Sequence, residues 1–222
     1  MMKSTVFERT QADSHGALIG AAAYNLIIGL TLLWGFAVNW WMVLNIPVAD
    51  LMEINPWIFV IGYFAACLTG IWLFSSSSSP LISFIGYNLV VVPFGLIVNI
   101  AVSRYNPTVV ADAVQMTGLV TAMMMVLGSL YPAFFARIRN ALAISLLCVI
   151  VVELIALFFF EKQYGIIDWI VVVIFCGYIG YDWARANAIP KTVDNAVDSA
   201  AALYMDIINL FLRILRILGR KR

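Results

Sequence analysis

Charge is scarce in this chain. Only 11% of its 222 residues are Asp, Glu, Lys or Arg, against about a quarter in a soluble globular domain. The formal net charge is +1, so no bulk field points to nucleic acid or to an acidic substrate. Histidine is nearly missing: His15 is the one example, and it precedes the first apolar run. A membrane zinc hydrolase needs several His ligands, and a Ser-His-Asp triad cannot form inside apolar runs that hold no His. No long apolar run contains a lysine, which excludes a retinal Schiff base of the rhodopsin type. No GxxxxGK[ST] motif occurs, so an ATP-driven pump lacks its phosphate cradle. These absences argue against an enzyme and against a resident cofactor. The three cysteines, Cys67, Cys148 and Cys176, each lie in an apolar run, with no CxxC spacing. They read as small membrane-buried hydrophobes, not as a disulfide or a metal site.

What is abundant is hydrophobicity, at 64% of residues. A water-soluble chain this apolar has too little polar surface to cover itself. Lipid is the remaining cover, and the chain reads as an all-α integral membrane protein. A spanning helix needs about 20 mainly apolar residues. Six runs meet that length: Leu18 to Leu44, Pro56 to Phe74, Leu81 to Ser103, Val114 to Ala136, Ala141 to Phe160 and Tyr164 to Trp183. A seventh, Ala200 to Leu218, is long enough but carries Asp206, Asn209, Arg213 and Arg216. The expectation is a short cytoplasmic N-terminal segment over 1–17, a seven-helix transmembrane domain over 18–218 and a basic tail over 219–222. The N-terminus does not read as a cleavable signal. Glu8 and Asp13 sit among Lys3 and Arg9, and the apolar run that follows is too long.

The breaks between runs have physical signals. Asn45-Ile46-Pro47 ends the first helix, with Trp40 and Trp41 suited to the interface. Ser75 to Ser79 followed by Pro80 is a turn. Pro107 and the Ile189-Pro190 pair mark connections. Pro93 and Pro132 are expected inside helices, where they introduce kinks. Met116, Met123, Met124 and Met125 read as packing residues of the fourth helix. With the N-terminus inside, the inner segments hold Lys3, Arg9, Arg137, Arg139, Arg185 and Lys191, and the outer loops hold Arg104 and Lys162. That bias favours a cytoplasmic N-terminus. The basic tail, Arg213 to Arg222, then lies outside if the seventh helix spans fully, and otherwise that helix is short or re-entrant.

Ionisable residues in apolar runs are costly, at about 2.5–3.5 kcal/mol on insertion scales. Four stand out: Glu153, Asp182, Asp206 and Arg213. Asp198, Asp206, Asn209, Arg213, Arg216 and Arg220 fall within about 80° of arc at about 100° per residue. Such a stripe faces protein or water, unless the segment is an interfacial amphipathic helix with a basic face. Two carboxylates close together in low dielectric share a proton and titrate as a unit, which suits a pH sensor or a cation site. Glu153 is either a third member of that site or a single protonated Glu bonded to a neighbouring helix.

Two segments carry a family resemblance. They are Phe175-Cys176-Gly177-Tyr178-Ile179-Gly180-Tyr181-Asp182 and Ala200-Ala201-Ala202-Leu203-Tyr204-Met205-Asp206-Ile207-Ile208-Asn209-Leu210-Phe211. Over roughly the last 60 residues the chain resembles the transmembrane Bax inhibitor motif family (the Bax inhibitor-1 group). The resemblance implies a seven-helix bundle with the last helix central. Some members are pH-sensitive calcium leak channels, in which one aspartate on helix six and one on helix seven form the proton sensor. Those positions match Asp182 and Asp206. The channel members also carry an Arg on the second helix that latches onto the pair. Here Pro56 to Phe74 holds no basic residue, so a bound cation or water is expected to stand in.

The function expected from these features is a pH-sensitive cation leak with calcium as the transported ion. The alternative is a non-conducting interaction protein that modulates a membrane protease or a stress or cell-death pathway, with the basic tail as its docking element. The lipid bilayer is the expected environment, with no nucleic acid partner. The short tails point to a bacterial plasma membrane.

Overall fold

A computed structural model describes residues 17–156 and 165–220. His15, Ser4 and the basic residues of the first segment lie outside the described residues, as do residues 157–164 and the last two tail residues. The described chain is helical, with no strand: α1 (Ala21–Asn45), α2 (Val48–Met52), α3 (Pro56–Ser76), α4 (Pro80–Val102), α5 (Pro107–Leu130), α6 (Pro132–Ile155), α7 (Gly165–Ala188) and α8 (Val193–Arg220).

Four of these helices, α3 to α6, open with proline in the first turn. There the missing N–H costs nothing and the fixed φ suits the helix. Asn55 caps α3 by accepting a 2.9 Å hydrogen bond from the Trp57 amide. Pro132 corrects the expected fourth span. It does not kink a helix running to Ala136; it opens α6. Tyr131 leaves the helical region at φ −126° and ψ 50°, because a proline displaces the preceding residue from αR. Arg137 and Arg139 therefore lie within α6, not in a connection. Pro93 does sit inside α4. Met124 packs beside the buried Phe135, Leu142 and Tyr181, whereas Met116 and Met123 are exposed at the helix surface.

Six described helices, α1 and α3 to α7, are long and apolar enough to cross a membrane. Their exposed large apolar side chains are Leu, Ile, Val, Phe, Trp and Met, as lipid contact demands. The eighth has the length, at 28 residues, but its charged stripe sets it apart. It begins at Val193, earlier than the expected Ala200.

The chain divides into two compact units, Met1–Arg104 with Ala186–Tyr204, and Tyr105–Arg185 with Met205–Arg222. The boundary falls inside α8. In the first unit α4 packs on α1 and α3. Gly70 and Gly86 let α3 and α4 approach closely: a Cβ on Gly70 would lie 2.5 Å from the Gly86 carbonyl oxygen. Every residue from Asp194 to Tyr204 is buried. Three of their polar groups are matched across helices: Ser83 donates to Asp194 at 2.7 Å, the Tyr24 and Ser199 hydroxyls lie 3.1 Å apart, and Asn39 donates to the Tyr204 hydroxyl at 2.5 Å. In the second unit α5, α6, α7 and the C-terminal half of α8 pack together. A Cβ on Gly128 of α5 would lie 2.5 Å from the Gly180 carbonyl oxygen of α7.

Candidate functional site

Asp182 and Asp206 belong to the second unit. Asp182 follows two glycines on α7. Gly177 lies against Leu142 of α6, and Gly180 lies against Phe135 of α6 and Gly128 of α5. Without side chains at those positions α7 beds closely on both neighbours, and the next polar position inward is Asp182. The stripe on α8 turns Asp206 into the same space. Asp206 is 8% exposed, and its carboxyl neighbours that of Asp182. The Asp206 Oδ2 has no N–H or hydroxyl partner among the described residues. A carboxyl–carboxyl contact is a hydrogen bond only when one partner holds a proton. The two carboxyls are neighbours, with the Tyr178 hydroxyl in their electrostatic surroundings.

The pair has counter-charges that the sequence reading did not assign. Arg185 Nη1 lies 4.0 Å from Asp182 Oδ1, one turn further along α7. Arg139 of α6 acts electrostatically on Asp182 and stacks over the Tyr181 ring at 5.9 Å. Two guanidiniums thus lie in the surroundings of Asp182. The three-residue spacing of Asp182 and Arg185 was open to inspection as a helical pair. Arg139 was not, because only packing brings α6 beside α7.

Glu153 and Arg213 do not join the aspartate pair; they form a second polar centre. Arg213 grips Glu153 of α6 with both terminal nitrogens, Nη1 to Oε1 and Nη2 to Oε2, the latter at 2.8 Å. Arg213 Nη1 also donates to Asp168 Oδ1 of α7 at 3.0 Å. Arg216 donates to that same oxygen at 3.1 Å. Arg220 Nη1 stands 2.7 Å from Asp168 Oδ2 as an ion pair without hydrogen-bond alignment. Asp168 is 1% exposed and lies in the first turn of α7, where the helix dipole also favours a negative charge. Of the two alternatives for Glu153, bonding to a neighbouring helix is observed, but as an ion pair with Arg213 instead of the expected protonated acid, because a guanidinium faces it. Asn209 donates to the Met205 carbonyl of its own helix at 2.8 Å and bridges neither centre. Asp168 was missed by sequence reasoning because it sits near the start of its run, where an acid reads as interfacial.

Residues 19–222 match the family described as inhibitor of apoptosis-promoting Bax1. The chain is similar to Bax inhibitor 1 of Schizosaccharomyces pombe, 28% identical over 173 residues, covering 76% of this chain and 64% of that protein. It is 32% identical over 109 residues to an uncharacterized protein of Helicobacter pylori, covering 49% of this chain and 46% of the other. An uncharacterized membrane protein of Streptococcus pyogenes is 30% identical over 133 residues, with 57% and 58% covered. The chain thus spans from under half to just under two thirds of the length of these relatives.

Proposed function

The chain belongs to the Bax inhibitor family of membrane proteins, and on that premise we propose that it is a pH-modulated cation leak. Calcium is the ion carried, and Asp182 and Asp206 are the proton sensor. The observation that carries this is the placement of Asp182 on α7 beside the buried Asp206 on α8. Two carboxylates held this close in low dielectric cannot both ionise cheaply. A shared proton joins α7 to α8, and its loss either parts the two helices or admits a cation between them. Arg185 and Arg139 set how readily the ionised pair is tolerated. The protein is not an enzyme in this reading: its polar groups hold protons and ions. All seven long helices span, α8 included, with the N-terminus cytoplasmic. Relatives in Helicobacter and Streptococcus support a bacterial plasma membrane as the location.

The test is calcium flux into liposomes of purified protein across about pH 5–8, for wild type, Asp182→Asn and Asp206→Asn. Wild-type flux is expected to depend on pH, and each variant is expected to flatten that dependence. An unchanged pH profile in both variants would refute the sensor. A wild type that conducts at no pH would favour the second reading, a non-conducting partner of a membrane protease or stress pathway. The absence of a basic residue from α3 is the observation on that side.

A further inference from the structure

The centre around Asp168 is not balanced in charge. Arg213, Arg216 and Arg220 come from the last turns of α8, Glu153 from the end of α6 and Asp168 from the first turn of α7. These are three positive and two negative groups.

The surplus is not spread evenly. Arg213 is largely buried and occupied by two carboxylates. The Arg216 and Arg220 side chains are 35% and 36% exposed, and each engages Asp168 through one terminal nitrogen. A guanidinium carries five N–H donors in a fixed planar fork. Asp168 takes one terminal nitrogen of each fork, and about a third of each side chain is exposed among the described residues. The two arginines are one turn apart on the same face, about 6 Å by rise, which suits one tetrahedral oxyanion between them. Their depth matters as well. Glu153 and Asp168 lie at the ends of two helices long enough to span, so the forks stand at the boundary between acyl chains and water. Phosphate groups of lipids occupy that level.

We propose that Arg216 and Arg220 form an oxyanion site for a phosphate group, with Asp168 as the residue that orients them. The chemistry fits the phosphodiester of an anionic phospholipid headgroup and free inorganic phosphate alike. The site stands apart from the aspartate pair and does not depend on whether the protein conducts.

Purified full-length protein in dodecyl maltoside is titrated with phosphatidylglycerol and, separately, with inorganic phosphate. Native mass spectrometry counts bound molecules, and thermal unfolding reads stabilisation. Wild type is expected to retain phosphatidylglycerol and unfold at higher temperature with it. Arg216→Gln and Arg220→Gln are each expected to bind at least about tenfold more weakly, the loss of one charge-assisted donor pair. Arg137→Gln, which alters an exposed arginine of α6, is expected to bind as wild type. Stabilisation by inorganic phosphate that the same two variants lose would assign the site to the free anion; stabilisation by the lipid alone would assign it to a headgroup. Arg220→Gln leaves Asp168 held by Arg213 and Arg216, so it is the variant expected to fold. Equal lipid and phosphate binding by wild type and Arg220→Gln, or no binding of either by wild type, would overturn the proposal.

Discussion

Asp168 takes an ion pair or hydrogen bond from each of three arginines while almost wholly out of contact with solvent. Glu153, by contrast, is ion-paired with Arg213 and keeps a side chain 31% exposed. The two acids should therefore differ in cost. Breaking a buried pair by removing one partner costs about 3–5 kcal/mol, because the opposite charge is left uncompensated. Asp168→Asn is expected to fall in that range. Glu153→Gln should fold and lose less than half as much, since Arg213 keeps Asp168. Thermal unfolding of both variants in detergent gives the ranking, and a costlier Glu153→Gln would contradict it. The paired aspartates were legible as charges in apolar runs. Asp168 was not, because what marks it is the convergence of three side chains from another helix.

At the scale of the helix, close approach is the feature that sequence patterns state least clearly. Gly70 and Gly62 lie on the same helix, yet only one is needed there. A Cβ on Gly70 would strike the α4 backbone, whereas one on Gly62 would meet nothing within 4 Å. Gly70→Ala is expected to destabilise by about 1–3 kcal/mol through overpacking. Gly62→Ala is expected to be neutral or to stabilise by up to about 1 kcal/mol, through helix propensity. Thermal midpoints of the two variants should move in opposite directions or differ by that margin. Equal effects would mean that the α3–α4 contact does not limit stability. Helix ends show the same division. Pro56, Pro80, Pro107 and Pro190 mark breaks for a reason local to the chain. Pro132 reads as a kink because the apolar run continues through it, and backbone geometry at Tyr131 is what ends α5 there.

For the whole molecule, the distribution of Lys and Arg makes a topological claim. With the N-terminus inside and seven spans, Ser77 faces the cytoplasm, Ser103 the outside, and Lys221 the same side as Ser103. Single cysteines at Ser77, Ser103 and Lys221, in a background with Cys67, Cys148 and Cys176 replaced, should react with an impermeant thiol reagent in that pattern. Labelling of Lys221→Cys from the cytoplasmic side would make α8 re-entrant and leave six spans. Labelling of Ser77→Cys from outside would invert the topology.

Membrane residence, helical class, the approximate spans and the two aspartates follow from the amino-acid sequence alone. Each rests on a local quantity: run length against bilayer thickness, or the cost of an ionisable group among apolar neighbours. Which polar residues meet was decided by packing. Asp206 and Arg213 lie on one stripe of α8, yet Asp206 meets Asp182 and Arg213 meets Glu153 and Asp168. The stripe says only that these side chains leave lipid. The partner that each finds is set by the depth and rotation of α6 and α7 against α8. Those follow from glycine contacts such as Gly180 on Phe135, between residues far apart in the chain, which no periodicity within a single helix records.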